Sequence, residues 1–274
     1  MAGATAFFTT FALPPILIIL LEAFSLIVDP RKIGHQLFHD LSNTIGKESM
    51  TQTVETLIGF RRLAQTWYYS IGGFIFMLFV ATTLFMIIKH SLNQVWKITI
   101  VKKENFWVKM KGRLLSILII LAAGLLFLSS LFVQAIQAYM GKYILELSPI
   151  LAYYFNDLVN YLLSIIIVTI WFAVLFHYLP DGRPTWSVAF TGAFLTSILF
   201  NIGKFILHAL LTYSNINMIY RASGSIVLLL LFVFYSSLIL YYGAAFTKVW
   251  SEYRKEPITP LKNAAHYRLA EVKE

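Results

Sequence analysis

Residues 150–212 read ILAYYFNDLVNYLLSIIIVTIWFAVLFHYLPDGRPTWSVAFTGAFLTSILFNIGKFILHALLT, and this stretch decides the fold class. Asp157 is the lone formal charge between Ile150 and Leu179, and Lys204 the lone one between Ser187 and Thr212. A hydrocarbon core of about 30 Å takes about 20 apolar residues per helical span. The stretch therefore holds two membrane spans, near 150–179 and 187–212. The short turn Pro180-Asp181-Gly182-Arg183-Pro184 makes them antiparallel neighbours.

The same criterion applied outward finds four more spans, near 5–28, 68–90, 113–137 and 224–249. The expected fold is all-α, a polytopic six-transmembrane-helix bundle forming one domain over 1–249, followed by a basic cytoplasmic tail at 250–274. The 150–179 span is longer than a bilayer needs, which predicts tilt or an extension beyond it. The first span starts almost at Met1 with no basic leader and no small-residue cleavage site, so a removable signal peptide is not expected.

Composition agrees. Hydrophobic residues make up 58% and charged residues 13% of the chain, and mean hydropathy is +0.72. A water-soluble exterior needs more charge than that. The absence of cysteine excludes disulfides, thiolate metal sites and cysteine nucleophiles. The net charge of +9 flanks the apolar segments, where it serves topology and contacts with membrane lipids. Nucleic acid is not an expected partner.

Orientation follows from lysine and arginine bias. The second-to-third loop carries Lys89, Lys97, Lys102, Lys103, Lys109, Lys111 and Arg113; the tail carries Lys248, Arg254, Lys255, Lys262, Arg268 and Lys273; the fourth-to-fifth turn adds Arg183. The opposite side has Arg31, Lys32, Lys47, Arg61, Arg62, Lys142 and Arg221. The richer side is expected in the cytoplasm with both termini. The exterior loop at 29–67 repeats Ile33, Leu37, Leu41 and Ile45 every four residues, as one face of an amphipathic helix would. Gly46 would stop it, and Ser49 with Gln52 has capping-box spacing for a second short helix bearing Val54, Leu57 and Ile58.

Charge inside a span is costly and faces a bundle interior or a water-filled cavity. Glu22, Asp157 and Lys204 lie about 9, 10 and 12 Å below the expected outer boundary at 1.5 Å per residue. Ser197, Asn201, Lys204 and His208 form one polar stripe, and Asp157, Asn160 and Ser164 another. Across antiparallel neighbours these would pair Asp157 with Lys204 and Asn160 with Asn201. Gln134 and Gln137 add a shorter stripe on the third span. The candidate substrate or ion path is therefore Glu22, Asp157, Asn160, Asn201, Lys204 and His208. The bland alternative is mutual neutralisation, with the amides as interhelical glue.

Pro14 and Pro15 are a candidate break in the first helix, because neither donates a backbone hydrogen bond. A packing kink is the alternative. His35, His39 and Asp40 have metal-like spacing without a complete motif, so no metal or cofactor is expected. Trp67, Tyr68 and Trp250 read as an interfacial aromatic belt.

Several ordered segments together resemble the YihY/BrkB family of bacterial inner-membrane proteins, formerly labelled ribonuclease BN-like. They are Ala4 to Pro15 (ATAFFTTFALPP), Leu92 to Trp96 (LNQVW), Leu179-Pro180-Asp181 with Pro184 and Trp186, and Gly192-Ala193. Gly203-Lys204, Ile219-Tyr220, Gly224-Ser225, Tyr235-Ser236-Ser237 and Gly243-Ala244 complete the set. The resemblance implies six transmembrane helices, a multi-pass inner-membrane location, and transport or export. It also implies that a polar cytoplasmic segment preceding the first helix is missing here. Arg221 stands where the family often has glycine, and Ala245 where it often has an acidic residue.

The leading expectation is a non-enzymatic transporter or exporter of a small polar or amphiphilic solute through an outward-opening polar cavity. A non-transporting protein that organises lipid or the envelope, with 29–67 as its working part, is the alternative from another class. A membrane ribonuclease would need acid–base or metal groups facing the cytoplasm, and the residues offered there are mainly lysines and arginines.

Overall fold

The computed structural model describes residues 1–24, 67–101, 110–126, 128–129, 149–213 and 224–267. Its helices are α1 (Ala2–Phe24), α2 (Trp67–Val95), α3 (helical over 110–126), α4 (Pro149–Tyr178), α5 (Trp186–Tyr213) and α6 (Gly224–Tyr253). A backbone surrounded by hydrocarbon must satisfy its own polar groups, and a helix does so locally. Five helices, α1, α2, α4, α5 and α6, are long and apolar enough to cross a bilayer. The third expected span is helical where described, and 130–137 lies outside the described residues. So do the amphipathic segments expected between 29 and 66, with His35, His39 and Asp40.

The helix α1 runs unbroken through Pro14 and Pro15, both buried. The missing N–H groups remove two rungs of the ladder without ending the helix, so the candidate break is not a break in secondary structure. In the turn before them, Thr9 and Thr10 hydroxyls donate to the Thr5 and Ala6 carbonyls, a bonding that bends helices.

Helices pack in the order α4, α5, α6, α1, α2, and α2 also touches α6. On the far side of α2, Arg113 of α3 donates to Thr82 (2.9 Å), and its guanidinium covers the Phe79 ring at 4.3 Å. Leu231, Phe234, Leu238, Tyr242 and Val249 of α6 form an exposed apolar stripe, and Phe190, Phe194, Phe205 and Ile206 line a face of α5. Such surface would aggregate in water and is the lipid-facing surface of a membrane bundle.

The seam between α5 and α6 is built reciprocally. A side chain at Gly192 would overlap Thr247, and one at Gly243 would overlap Thr196. Each threonine donates to the glycine carbonyl four residues before it, at 2.6 and 2.7 Å. Small residues let the two backbones approach this closely. Gly203 similarly makes room for the Tyr235 ring.

At one end, the polar segments after α2, α4 and α6 fold into a cap. Strand β1 (Ile98–Ile100) pairs antiparallel with β4 (Ala264–His266), and β2 (Gly182–Arg183) with β3 (Thr259–Pro260). The expected tail is thus folded from Arg254 to Tyr267. Helix α6 ends in a Schellman motif: Lys255 N–H donates to the Glu252 carbonyl, Glu256 N–H to the Ser251 carbonyl, and Lys255 has φ 56°. Lys97 takes the same left-handed conformation after α2, with φ 55°. The start of α1 lies at this end too. Thr5 Oγ1 shares a 2.5 Å hydrogen bond with Tyr241, and Trp96 Nε1 donates to the Ala244 carbonyl one turn further along α6.

Candidate functional site

The polar stripes meet between α4 and α5. Ser164 donates to Asn201 Oδ1 (2.9 Å), Asn201 Nδ2 donates to the Ser197 carbonyl (2.9 Å), and Thr169 and Ser197 hydroxyls bond at 2.7 Å. Ser197 and Asn201 are buried. Asn201 therefore bonds one turn deeper on α4 than the expected partner Asn160. Lys204 is half-buried on the same face. Glu22 falls within α1, Asp157 and Asn160 within α4 and His208 within α5, with side chains outside the described residues. The Asp157–Lys204 pairing thus lies outside what is described.

A second polar centre lies in the cap. Lys89, one of the expected topology charges, is instead buried and pairs with Asp181 Oδ1 at 2.8 Å. Asn93, one turn on, clasps the same residue twice. Its Nδ2 donates to Asp181 Oδ2 (2.7 Å), and its Oδ1 accepts the Asp181 N–H (2.8 Å). The Asp181 carbonyl accepts Leu261 N–H at 2.8 Å. A buried ion pair is sustained only when its remaining polar groups are satisfied, and here α2 and the tail supply the partners. Neighbouring bonds brace the turn. His177 Nδ1 donates to the Pro184 carbonyl (3.0 Å) while its ring stacks on Trp186 at 4.2 Å, and Thr185 donates to Glu256 at 2.6 Å. Arg183 donates to the His177 carbonyl. Burial lowers the Arg183 pKa from its ordinary value, against the opposing pull of Tyr178 and Asp181.

Two family-like segments quoted separately, Leu92 to Trp96 and Leu179 to Asp181, thus form one site. The signal available was an asparagine one turn after a lysine, and an aspartate in a proline-flanked turn. Nothing in the spacing says that they meet across 88 residues. Among the described residues, no three His, Asp or Glu side chains cluster as a metal site requires.

The lipid-facing helices and polar end cap define an integral membrane protein. The model of the family described as "Virulence factor BrkB" matches residues 1–268, and the chain belongs to that family. It is similar to a UPF0761 membrane protein of Psychromonas ingrahamii, 24% identical over 263 residues covering 93% of this chain and 83% of the relative. No solved structure matches it significantly.

Proposed function

We propose that the chain is a transporter or exporter of a small polar or amphiphilic solute, with its path between α4 and α5. The observation that carries this is Lys204, a charge set within a span and half-buried on the face of α5 that fronts α4. Intramembrane charge so placed serves a path by default. The bonded rows Ser164–Asn201 and Thr169–Ser197 would be the closed floor of a cavity opening outward past Lys204, Asn160 and Asp157. The chain would act without enzymatic chemistry or nucleic acid, in a bacterial inner membrane with both termini cytoplasmic. The cap, which carries Lys97, Arg183, Lys248, Arg254, Lys255 and Lys262, supports that orientation.

The competing reading, interhelical glue, is favoured by Asn201, whose amide is bonded at both its oxygen and its nitrogen inside the bundle. One experiment separates the two, using the cysteine-free chain as background. Single cysteines at 157, 160, 201 and 204 in intact cells are treated with a membrane-impermeant thiol reagent. The transport reading expects outside labelling at 157, 160 and 204, with 201 slowest, and loss of flux in folded Lys204→Ala. Protection at all four positions, with control cysteines in the 29–66 segment labelled, would leave glue as the explanation.

A further inference from the structure

We propose that the cap holds a binding site for the phosphodiester headgroup of an anionic phospholipid. A cleft of about 350 Å³ opens between Trp96–Lys97, the last turns of α6 and the returning tail, lined by Lys97, Lys248, Ser251, Glu252, His266 and Tyr267 among others. Two lysines line it against one acidic residue, Glu252. His266 Nε2 donates to the Ile258 carbonyl at 2.9 Å, which ties the returning tail to the strand before it.

Three features point to a lipid. First, Lys97 is held in a left-handed backbone, φ 55°, which is uncommon for a residue other than glycine. It is pinned there by its own N–H to the Gln94 carbonyl and by Tyr267 N–H on its carbonyl. The backbone thereby fixes where the Lys97 side chain leaves the chain, at the edge of the cleft. Second, Lys248 lies one turn from Ala245, beside the exposed stripe Leu238, Tyr242, Ala245 and Val249. Acyl chains along that stripe would bring their headgroup to the mouth of the cleft. Third, Phe246, Trp250 and Tyr253 stack at the same level, with centroids 6.0 and 5.6 Å apart. Aromatic rings of this kind mark headgroup depth. A soluble phosphate would use the charge alone, whereas a phospholipid uses the charge and the stripe. The inference does not depend on the transport reading.

The test is native mass spectrometry of the detergent-solubilised full chain, titrated with phosphatidylglycerol, phosphatidylcholine or inorganic phosphate. Phosphatidylglycerol is expected to bind selectively. A Lys near a membrane surface contributes about fivefold, so Lys97→Asn with Lys248→Gln should weaken binding about thirtyfold. Asparagine is chosen because it tolerates the left-handed backbone. Glu252→Gln, which removes the carboxylate from an exposed position, should tighten binding and keeps the test valid if the double variant misfolds. Lys255→Gln, outside the cleft, should change nothing. Equal binding of phosphatidylcholine, equal competition by inorganic phosphate, or unaltered affinity in the Glu252 and double-lysine variants would overturn the proposal.

Discussion

Gly243→Ala places one methyl group at a close crossing of α5 and α6. The new carbon would overlap Thr196 Oγ1 and stand 2.9 Å from Thr196 Cβ. Rotating Thr196 could move the oxygen, at the loss of its 2.6 Å bond to the Gly192 carbonyl, which is worth about 1 kcal/mol. Rotation leaves the two β-carbons where they were, inside the 3.5–4.0 Å optimum for carbon pairs. The helices must then separate locally, and overpacking of that kind costs about 1–3 kcal/mol. A net destabilisation of about 2 kcal/mol is expected. Reversible unfolding in mixed micelles would measure it, with Gly72→Ala as the control because nothing lies within 4 Å of that site. Thr196→Gly removes the whole obstructing side chain, so the double variant should recover most of the loss, with a coupling of at least about 1 kcal/mol in the cycle. An unchanged midpoint in Gly243→Ala, or strict additivity in the double variant, would refute the close approach of α5 and α6.

Asp181→Ala should cost about 3–5 kcal/mol, because it strands Lys89 as a buried charge; adding Lys89→Met should restore part of the folded yield measured by size-exclusion chromatography. Lys255→Gly should stabilise by about 0.5–1 kcal/mol, since glycine takes the left-handed C′ position without strain. A lower unfolding midpoint would argue against the Schellman end of α6. Cysteines at Arg183 and Thr259, opposed across β2 and β3, lie within disulfide reach. On the proposed transport reading, oxidation should stop flux and reduction restore it, and full flux in the oxidised form would show that the α4–α5 hairpin stays put.

The spans were legible because a 20-residue apolar run leaves the backbone no alternative to a helix in hydrocarbon. The end of α6 was less so: hydropathy fades near residue 249, but the helix continues to Tyr253 because the Schellman bonds, rather than the membrane boundary, stop it. Pro14 and Pro15 read as a candidate break because neither donates a backbone hydrogen bond. In a bundle, both rings are buried and packing holds the turn. The stripe on α5 was legible as periodicity, whereas its partners were not. Depth arithmetic carries an error of about one turn, and that is the difference between Asn160 and Ser164 opposite Asn201. Lys89 was misjudged for a different reason. Charge counts treat every flanking lysine as solvated, and only the return of the Asp181 turn against α2 shows that this one is not. The reciprocal Gly192/Thr196 and Gly243/Thr247 pairs carry a four-residue small-residue spacing visible in sequence, but which helix each faces is a tertiary fact.

The cap bears directly on how a path between α4 and α5, as proposed above, could open at the cap end of the bundle. These helices are joined at the cap end by the turn at 179–185, so they cannot part there. The route past Asn201 therefore cannot open by spreading its own walls. The hairpin would have to tilt as a unit away from its neighbours. What opposes such a tilt at the cap is Asp181, tied to α2 through Lys89 and Asn93 and to the tail through Leu261. At the seam, the Gly–Thr pairs tie α5 to α6. The seam is close packing of small side chains with one long bond from the Tyr235 hydroxyl to the Leu199 carbonyl (3.4 Å), while the Asp181 contacts are charge-assisted and directional. On the transport reading, the cap is then the gate that must release first, and α6 the surface against which the hairpin turns.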